Sequence, residues 1–173
     1  MKPTRPRIAL VSAVIAISIA LDQATKLIAQ TYLTPQTIHL LGDTVRLRLA
    51  ENTGAFLSLG AALSPTLRFW IFTVAAAAMV VGVTVFALTT DDIPRDGIVA
   101  MAFVAGGGIS NLIDRITRGG SVVDFLNFGI GSLRTGILNV ADIAIFFGAL
   151  YVMWIGFRVE RESSTDMEPS PDT

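Results

Sequence analysis

Four stretches of the chain are apolar enough to dominate its pattern: about 8–29, 69–88, 98–116 and 137–157. Each approaches the roughly 20 residues that a helix needs to cross a hydrocarbon core. The first follows Lys2, Arg5 and Arg7, runs apolar from Ile8 to Leu21, and continues through Asp22-Gln23-Ala24-Thr25-Lys26 to Ala29. Basic residues ahead of a short apolar core, with Ser18-Ile19-Ala20 as a small-x-small site, also describe a cleaved signal peptide. Three later spans favour a retained helix. The second span is apolar throughout, the third gathers polar groups at its C-terminal end, and the fourth carries Asn139 and Asp142 in its first turns.

Between the first two spans lies a long connection, Thr31 to Thr66, in which Thr44-Val45-Arg46-Leu47-Arg48-Leu49 alternates with period two. That is the pattern of a strand with one wet face. Ser121-Val122-Val123-Asp124-Phe125-Leu126 is a second short β-branched and aromatic run. With spans alternating in direction, both runs fall on one side of the bilayer, where a small sheet fits. The expected fold is a membrane all-α protein: a four-helix transmembrane bundle, one domain over 1–157, with a disordered cytoplasmic tail over 158–173. The basic N-terminus favours a cytoplasmic start, so both termini are expected there. Counted over the whole chain, the N-terminus included, basic residues give no bias, six on that side against seven on the other.

Composition agrees with the spans. Of 173 residues, 52% are hydrophobic and 16% charged, where soluble domains run nearer a quarter charged. A net charge of −1 provides no basic surface for nucleic acid. Cysteine is absent, which excludes disulfides, thiolate catalysis and thiolate metal sites. His39 is the single histidine, so no metal or other cofactor is expected. Chemistry is left to carboxylates, hydroxyls, amides, Lys and Arg.

Ionisable groups inside spans cost about 2.5–3.5 kcal/mol each on insertion scales, yet here they cluster. Asp22 and Lys26 end the first span, Asn111, Asp114 and Arg115 end the third, and Asn139 and Asp142 begin the fourth. All fall at one level, beside Asp124, Glu51 and Asn52 in the connections. Asp22 and Lys26 stand at i,i+4, the spacing of a local ion pair. Asn111, Asp114 and Arg115 share a helix face with Gly107, whose neighbours Gly106 and Gly108 invite close helix packing. A serine nucleophile lacks a suited base, because His39 lies in a loop and Lys26 already faces Asp22. Paired aspartates can activate a water without a metal. Spacing alone leaves the choice among Asp22, Asp114, Asp124 and Asp142 open.

These residues resemble the lipoprotein signal peptidases over nearly the whole chain apart from the tail. The similar segments are Asp22-Gln-Ala-Thr-Lys26, Glu51-Asn52-Thr53-Gly54-Ala55-Phe56, Gly107-Gly-Ile-Ser-Asn111-Leu-Ile-Asp114-Arg115, Val122-Val-Asp124-Phe125 and Leu138-Asn139-Val140-Ala141-Asp142. The resemblance implies a monomeric inner-membrane aspartyl endopeptidase with an extracytoplasmic β-cradle. It implies cleavage of prolipoproteins before a diacylglyceryl-modified cysteine, in contact with membrane lipids. By motif, Asp124 and Asp142 match the catalytic pair. Asn52, Asn111, Arg115 and Asn139 match positions that line the site or contact substrate or globomycin, and Asp22, Lys26 and Asp114 match supporting positions. The Asn-x-Gly-Ala run is one alanine short before Phe56, Ser110 stands where glycine is usual, and Phe128 to Gly136 is glycine-rich. Two other readings are a divergent paralogue with dedicated substrates and a small proton- or ion-conducting protein.

Overall fold

An apolar segment in lipid must satisfy its backbone internally, and all four expected spans do so as helices. The computed structural model describes residues 3–53, 63–91 and 93–165. Its elements run α1 (Arg5–Tyr32), β1 (Ile38–Leu40), β2 (Val45–Asn52), α2 (Pro65–Thr89), α3 (Arg95–Thr117), β3 (Val122–Ile130), β4 (Leu133–Arg134) and α4 (Val140–Thr165). The four helices are each long and apolar enough to cross a membrane.

The helix ends depart from the expected bounds for local reasons. Because α1 reaches Tyr32, Asp22 and Lys26 lie inside the helix and not at its end. Asn139 is outside α4, which starts at Val140. At the other end α4 passes Phe157 and continues to Thr165, so the expected tail begins as helix. A helix already nucleated propagates past its apolar run, because each added residue gains a hydrogen bond. The rest of that tail, 166–173, lies outside the described residues, as do residues 54–56 of the second motif.

The interior helix is α3. Of its apolar window 67% is buried, against 17% or less for the other three. Three consecutive glycines allow this. A β-carbon on Gly106 would stand 2.6 Å from Ser18 Cβ of α1, and one on Gly107 would stand 2.6 Å from the Ala141 carbonyl oxygen of α4. One on Gly108 would run into Val80 of α2. Successive residues on a helix point about 100° apart, so three in a row face three different neighbours. Gly148 of α4 repeats the device against the Ala100 carbonyl. The outward faces of α1, α2 and α4 carry Ile28, Trp70, Val74, Phe146, Phe147 and Trp154 exposed, an apolar surface suited to lipid.

Both expected strands form, and they pair with each other. The sheet is antiparallel in the order β1-β2-β3-β4, with Leu47 opposite Leu126 and Ala50 opposite Asp124 across a bulge. Leu47, Leu49, Phe125 and Leu126 pack on Ala29 and Leu33 of α1, which seats the sheet on one end of the bundle. The outer strands β1 and β4 are too short for a periodic signal. A turn with positive φ at Leu41, Gly42 and Asp43 joins β1 to β2. Asp43 secures it: Arg46 donates to both its carboxylate oxygens at 2.7 and 2.6 Å, and His39 Nδ1 lies 2.6 Å away. These contacts, Arg46 first, hold the Asp43 carboxyl well below the usual carboxylate range. His39, expected in a loop, instead lies exposed in the middle of strand β1, beside this turn.

Gly107→Ala should lower the thermal stability of the detergent-solubilised protein by about 1–3 kcal/mol, because backbone of α4 must move. Gly82→Ala, which meets nothing within 4 Å on α2, should be neutral or slightly stabilising. Equal melting temperatures for the two variants would contradict this account of helix packing.

Candidate active site

The site is built where α1 and α3 approach their C-termini, α4 begins, and β2 and β3 pass. Its centre is one buried ammonium. Lys26 Nζ lies 2.6 Å from Asp22 Oδ2 and 2.9 Å from Asp114 Oδ2, and donates to Asn111 Oδ1 at 3.0 Å. Its three N–H donors thus meet three acceptors. Lys26, Asp22 and Asp114 are each at most 1% exposed.

Both carboxylates around Lys26 also tie elements together. Asp22 accepts from Ser110 Oγ at 2.7 Å and from the Ala141 amide at 2.8 Å, joining α1 to α3 and to the start of α4. Asp114 accepts from Gln23 at 3.0 Å and from the Val123 amide at 3.1 Å, joining α3 to α1 and β3. The residue after Val123 is Asp124. Gly119 and Gly120, at φ +61° and +100°, reverse the chain between α3 and β3 and return Asp124 to the site.

Asp142 is the third residue of α4, and it forms a reciprocal cap with Asn139. The Asp142 amide donates to Asn139 Oδ1 at 2.8 Å, and the Asn139 amide donates to Asp142 Oδ2 at 3.2 Å. This is a capping box with an aspartate in the third position. It fixes the Asn139 side chain, because an amide donor on Oδ1 turns Nδ2 the other way. Asn139 Nδ2 then donates to Asp124 Oδ1 at 2.7 Å and to Asn111 Oδ1 at 3.1 Å. Lys26 fixes Asn111 by the same logic, so that Asn111 Nδ2 donates to Asp142 Oδ1 at 2.9 Å. Asn52 Nδ2 completes the set, donating to Asp124 Oδ2 at 3.0 Å.

The four aspartates left open by spacing therefore divide into two kinds. Asp22 and Asp114 are salt-bridged to Lys26. Among the described residues, Asp124 and Asp142 accept hydrogen bonds from amides alone. Burial first, and the charge of Asp142 second, push the Asp124 carboxyl up to about 6 against the amide donors that oppose them. A carboxyl poised there can exchange a proton near neutrality, which salt-bridged carboxylates do poorly. Arg115 adds a half-buried cation close to both, with Nη1 donating to the Asn111 carbonyl at 3.4 Å and Nε buried without a hydrogen-bond partner among the described residues. Among the described residues no cluster of three or more His or acidic side chains could hold a metal ion.

All nine residues singled out from the sequence meet in this one network. Ser110 and Gln23 belong to it as well, Ser110 accepting from Gln23 at 3.0 Å while it donates to Asp22. Ser110 stands four residues before Asp114 on the same helical face, a signal that could have included it. Glu51, one residue from Asn52, points the other way along the strand and is exposed.

Four spanning helices, with one buried and one half-buried carboxylate at one end beside a small sheet, define a multi-pass membrane protein with a built polar site. The family model for signal peptidase (SPase) II matches residues 14–158. A lipoprotein signal peptidase of Sphingopyxis alaskensis is 34% identical over 91% of each chain. One from Hydrogenovibrio crunogenus is 36% identical over 88% of this chain and 90% of its own. A bacterial membrane enzyme solved by the in meso method at 2.3 Å shares the fold, with a TM-score of 0.76, 22% identity and coverage of 98% and 97% of the two chains. The chain belongs to the signal peptidase II family, and so is a membrane peptidase.

Two outcomes follow from the network. Lys26→Met should cost about 3–5 kcal/mol, since it leaves two buried carboxylates facing each other. Restoring neutrality with Asp22→Asn and Asp114→Asn in the same chain should recover part of the loss, read as melting temperature in detergent. The second outcome concerns Asp124, whose folded pKa of about 6 exceeds its ordinary 3.8. The folded chain keeps a proton that the unfolded chain releases, so stability falls as pH rises through that window. Melting curves against pH should flatten between those values in Asp124→Asn; an unchanged slope refutes the shift.

Proposed function

We propose that the protein is an aspartyl endopeptidase that removes signal peptides from diacylglyceryl-modified prolipoproteins, cutting before the lipidated cysteine. The observation that carries this reading is the division of the aspartates: among the described residues Asp22 and Asp114 are salt-bridged to Lys26, whereas Asp124 and Asp142 make no salt bridge to it and are linked by Asn111 and Asn139. Substrate and cleavage point rest on membership of the family.

In this mechanism the pair holds one proton between them, because two close carboxylates resist joint ionisation. The ionised partner takes a proton from a water that attacks the scissile carbonyl carbon. The protonated partner gives its proton to the leaving nitrogen as the carbon–nitrogen bond breaks. Arg115, a cation beside the pair, offers N–H donors to the peptide carbonyl oxygen as negative charge develops there. Asn52, Asn111 and Asn139 hold the carboxylates at fixed positions. Asp22, Lys26 and Asp114 hold the elements that carry them.

The substrate's acyl chains lie in the bilayer against the apolar outer faces of the bundle. The scissile bond then sits at the polar end, where water reaches it. On the orientation set by the basic N-terminus, the protein lies in the cytoplasmic membrane with both termini inside and the site at the extracytoplasmic face. One domain, acting as a monomer and without cofactor, suffices for this chemistry.

Asp124→Asn and Asp142→Asn should each keep the fold and lower cleavage of a diacylglyceryl-modified peptide by at least about 10²–10⁴-fold. An Asn at 142 still presents an oxygen for the cap. The unlipidated twin of the peptide should be a poor substrate for the unaltered chain. Normal cleavage by either variant defeats the assignment. Equal cleavage of both peptides indicates a relative with other substrates, and proton flux in liposomes without cleavage indicates a conducting protein.

A further inference from the structure

At the end of the bundle opposite the aspartates, a cavity of about 420 Å³ opens between the first turns of α1 and α3. Thr4, Pro6, Arg7, Leu10, Arg95 and Ile98 line it. The lining combines two arginines with the apolar side chains of Pro6, Leu10 and Ile98. Both spans begin here, so the cavity lies where hydrocarbon gives way to headgroups.

The two arginines differ in their commitments. Arg7 Nε donates to the Ala87 carbonyl at 2.8 Å and Nη2 to the Thr90 carbonyl at 2.6 Å, which covers the end of α2. Of the five N–H donors of a guanidinium, three remain. Arg95 is exposed and makes no hydrogen bond or ion pair among the described residues. The helix ends add to the positive field, since neither Thr4 before α1 nor Pro94 before α3 provides a side-chain cap. Of the nearby described carboxylates, Asp96 accepts from Tyr151 Oη at 2.6 Å and from the Gly97 amide at 3.0 Å. Asp91 is exposed in the α2–α3 turn.

We infer that this cavity binds the phosphate headgroup of an anionic phospholipid, with Arg7 and Arg95 on the phosphate and an acyl chain along Leu10 and Ile98. A basic pocket between spanning helices at the membrane surface suits such a headgroup. A free anion would satisfy the arginines and leave the apolar part of the cavity unfilled.

The full chain in a neutral detergent, titrated by native mass spectrometry, tests this. Phosphatidylglycerol should bind at least ten-fold more tightly than phosphatidylcholine of the same acyl chains. Arg95→Gln should weaken phosphatidylglycerol about five-fold, the effect of one basic residue near a lipid surface, and Arg95→Lys should retain it. Arg48→Gln, on the outer face of the sheet, should change nothing. Equal binding of the two lipids, or no effect of Arg95→Gln, overturns the assignment. So does a loss confined to Arg48→Gln, which moves the lipid to the sheet. Inorganic phosphate that binds as tightly as the lipid in an Arg95-dependent way points to a soluble anion instead. None of these readings depends on peptidase activity.

Discussion

One buried ammonium organises the polar end of this bundle. Lys26 bridges Asp22 and Asp114 and orients Asn111, and those three reach α3, α4 and β3 between them. A charge taken out of water costs several kcal/mol unless fully partnered. The three donors of Lys26 meet that demand by joining α1 to α3, and the side chains they hold carry the further bonds to α4 and β3. Its contribution is as much to geometry as to stability, since a hydrophobic replacement could pack but could not set the orientation of an amide.

The start of α4 shows how closely fold and site share atoms. A helix leaves its first amides without partners, and a carboxylate near them is favoured by the dipole. Asp22 takes the Ala141 amide, and Asn139 with Asp142 closes the cap. The same Asn139 side chain then holds Asp124 from β3. Capping α4 and drawing the two proposed catalytic carboxylates together are therefore one event, which requires the N-terminus of α4 to lie close against α3. Gly107 permits that approach, directly under the Ala141 carbonyl.

Much of this is legible in the order of the amino acids alone. The apolar runs identify the four spans because lipid leaves a chain few options, and the period-two run at 44–49 identifies β2. Convergence of the polar groups on one level follows from alternating helix directions. What spacing does not provide is the partition of the aspartates. That depends on which carboxylates Lys26 reaches, and its second partner, Asp114, lies on another helix. Hydropathy misplaces the helix ends where capping decides them, at Asn139, and where helix continues beyond the apolar run, after Phe157. Ser110 carries no charge and forms no motif by itself, so its hydroxyl bond to Asp22 emerges only once α1 and α3 are packed together.

The partition also explains how a small membrane protein tolerates four acids at one level. Asp22 and Asp114 share the charge of Lys26. In the proposed mechanism Asp124 and Asp142 share one proton, with Arg115 nearby. Arg118, 3.8 Å from Asp114, faces the charge that Lys26 leaves over, so before substrate arrives the four acids carry one unit of negative charge in excess of these partners, and not four. The excess resides on the pair whose hydrogen-bond donors among the described residues are amides, and those donors moderate the burial penalty without cancelling it. A carboxylate so placed stays basic enough to take a proton from water, which a third salt bridge would have prevented. The cost of burying acid is thus concentrated where a proton has to move, and removed where the helices only have to hold.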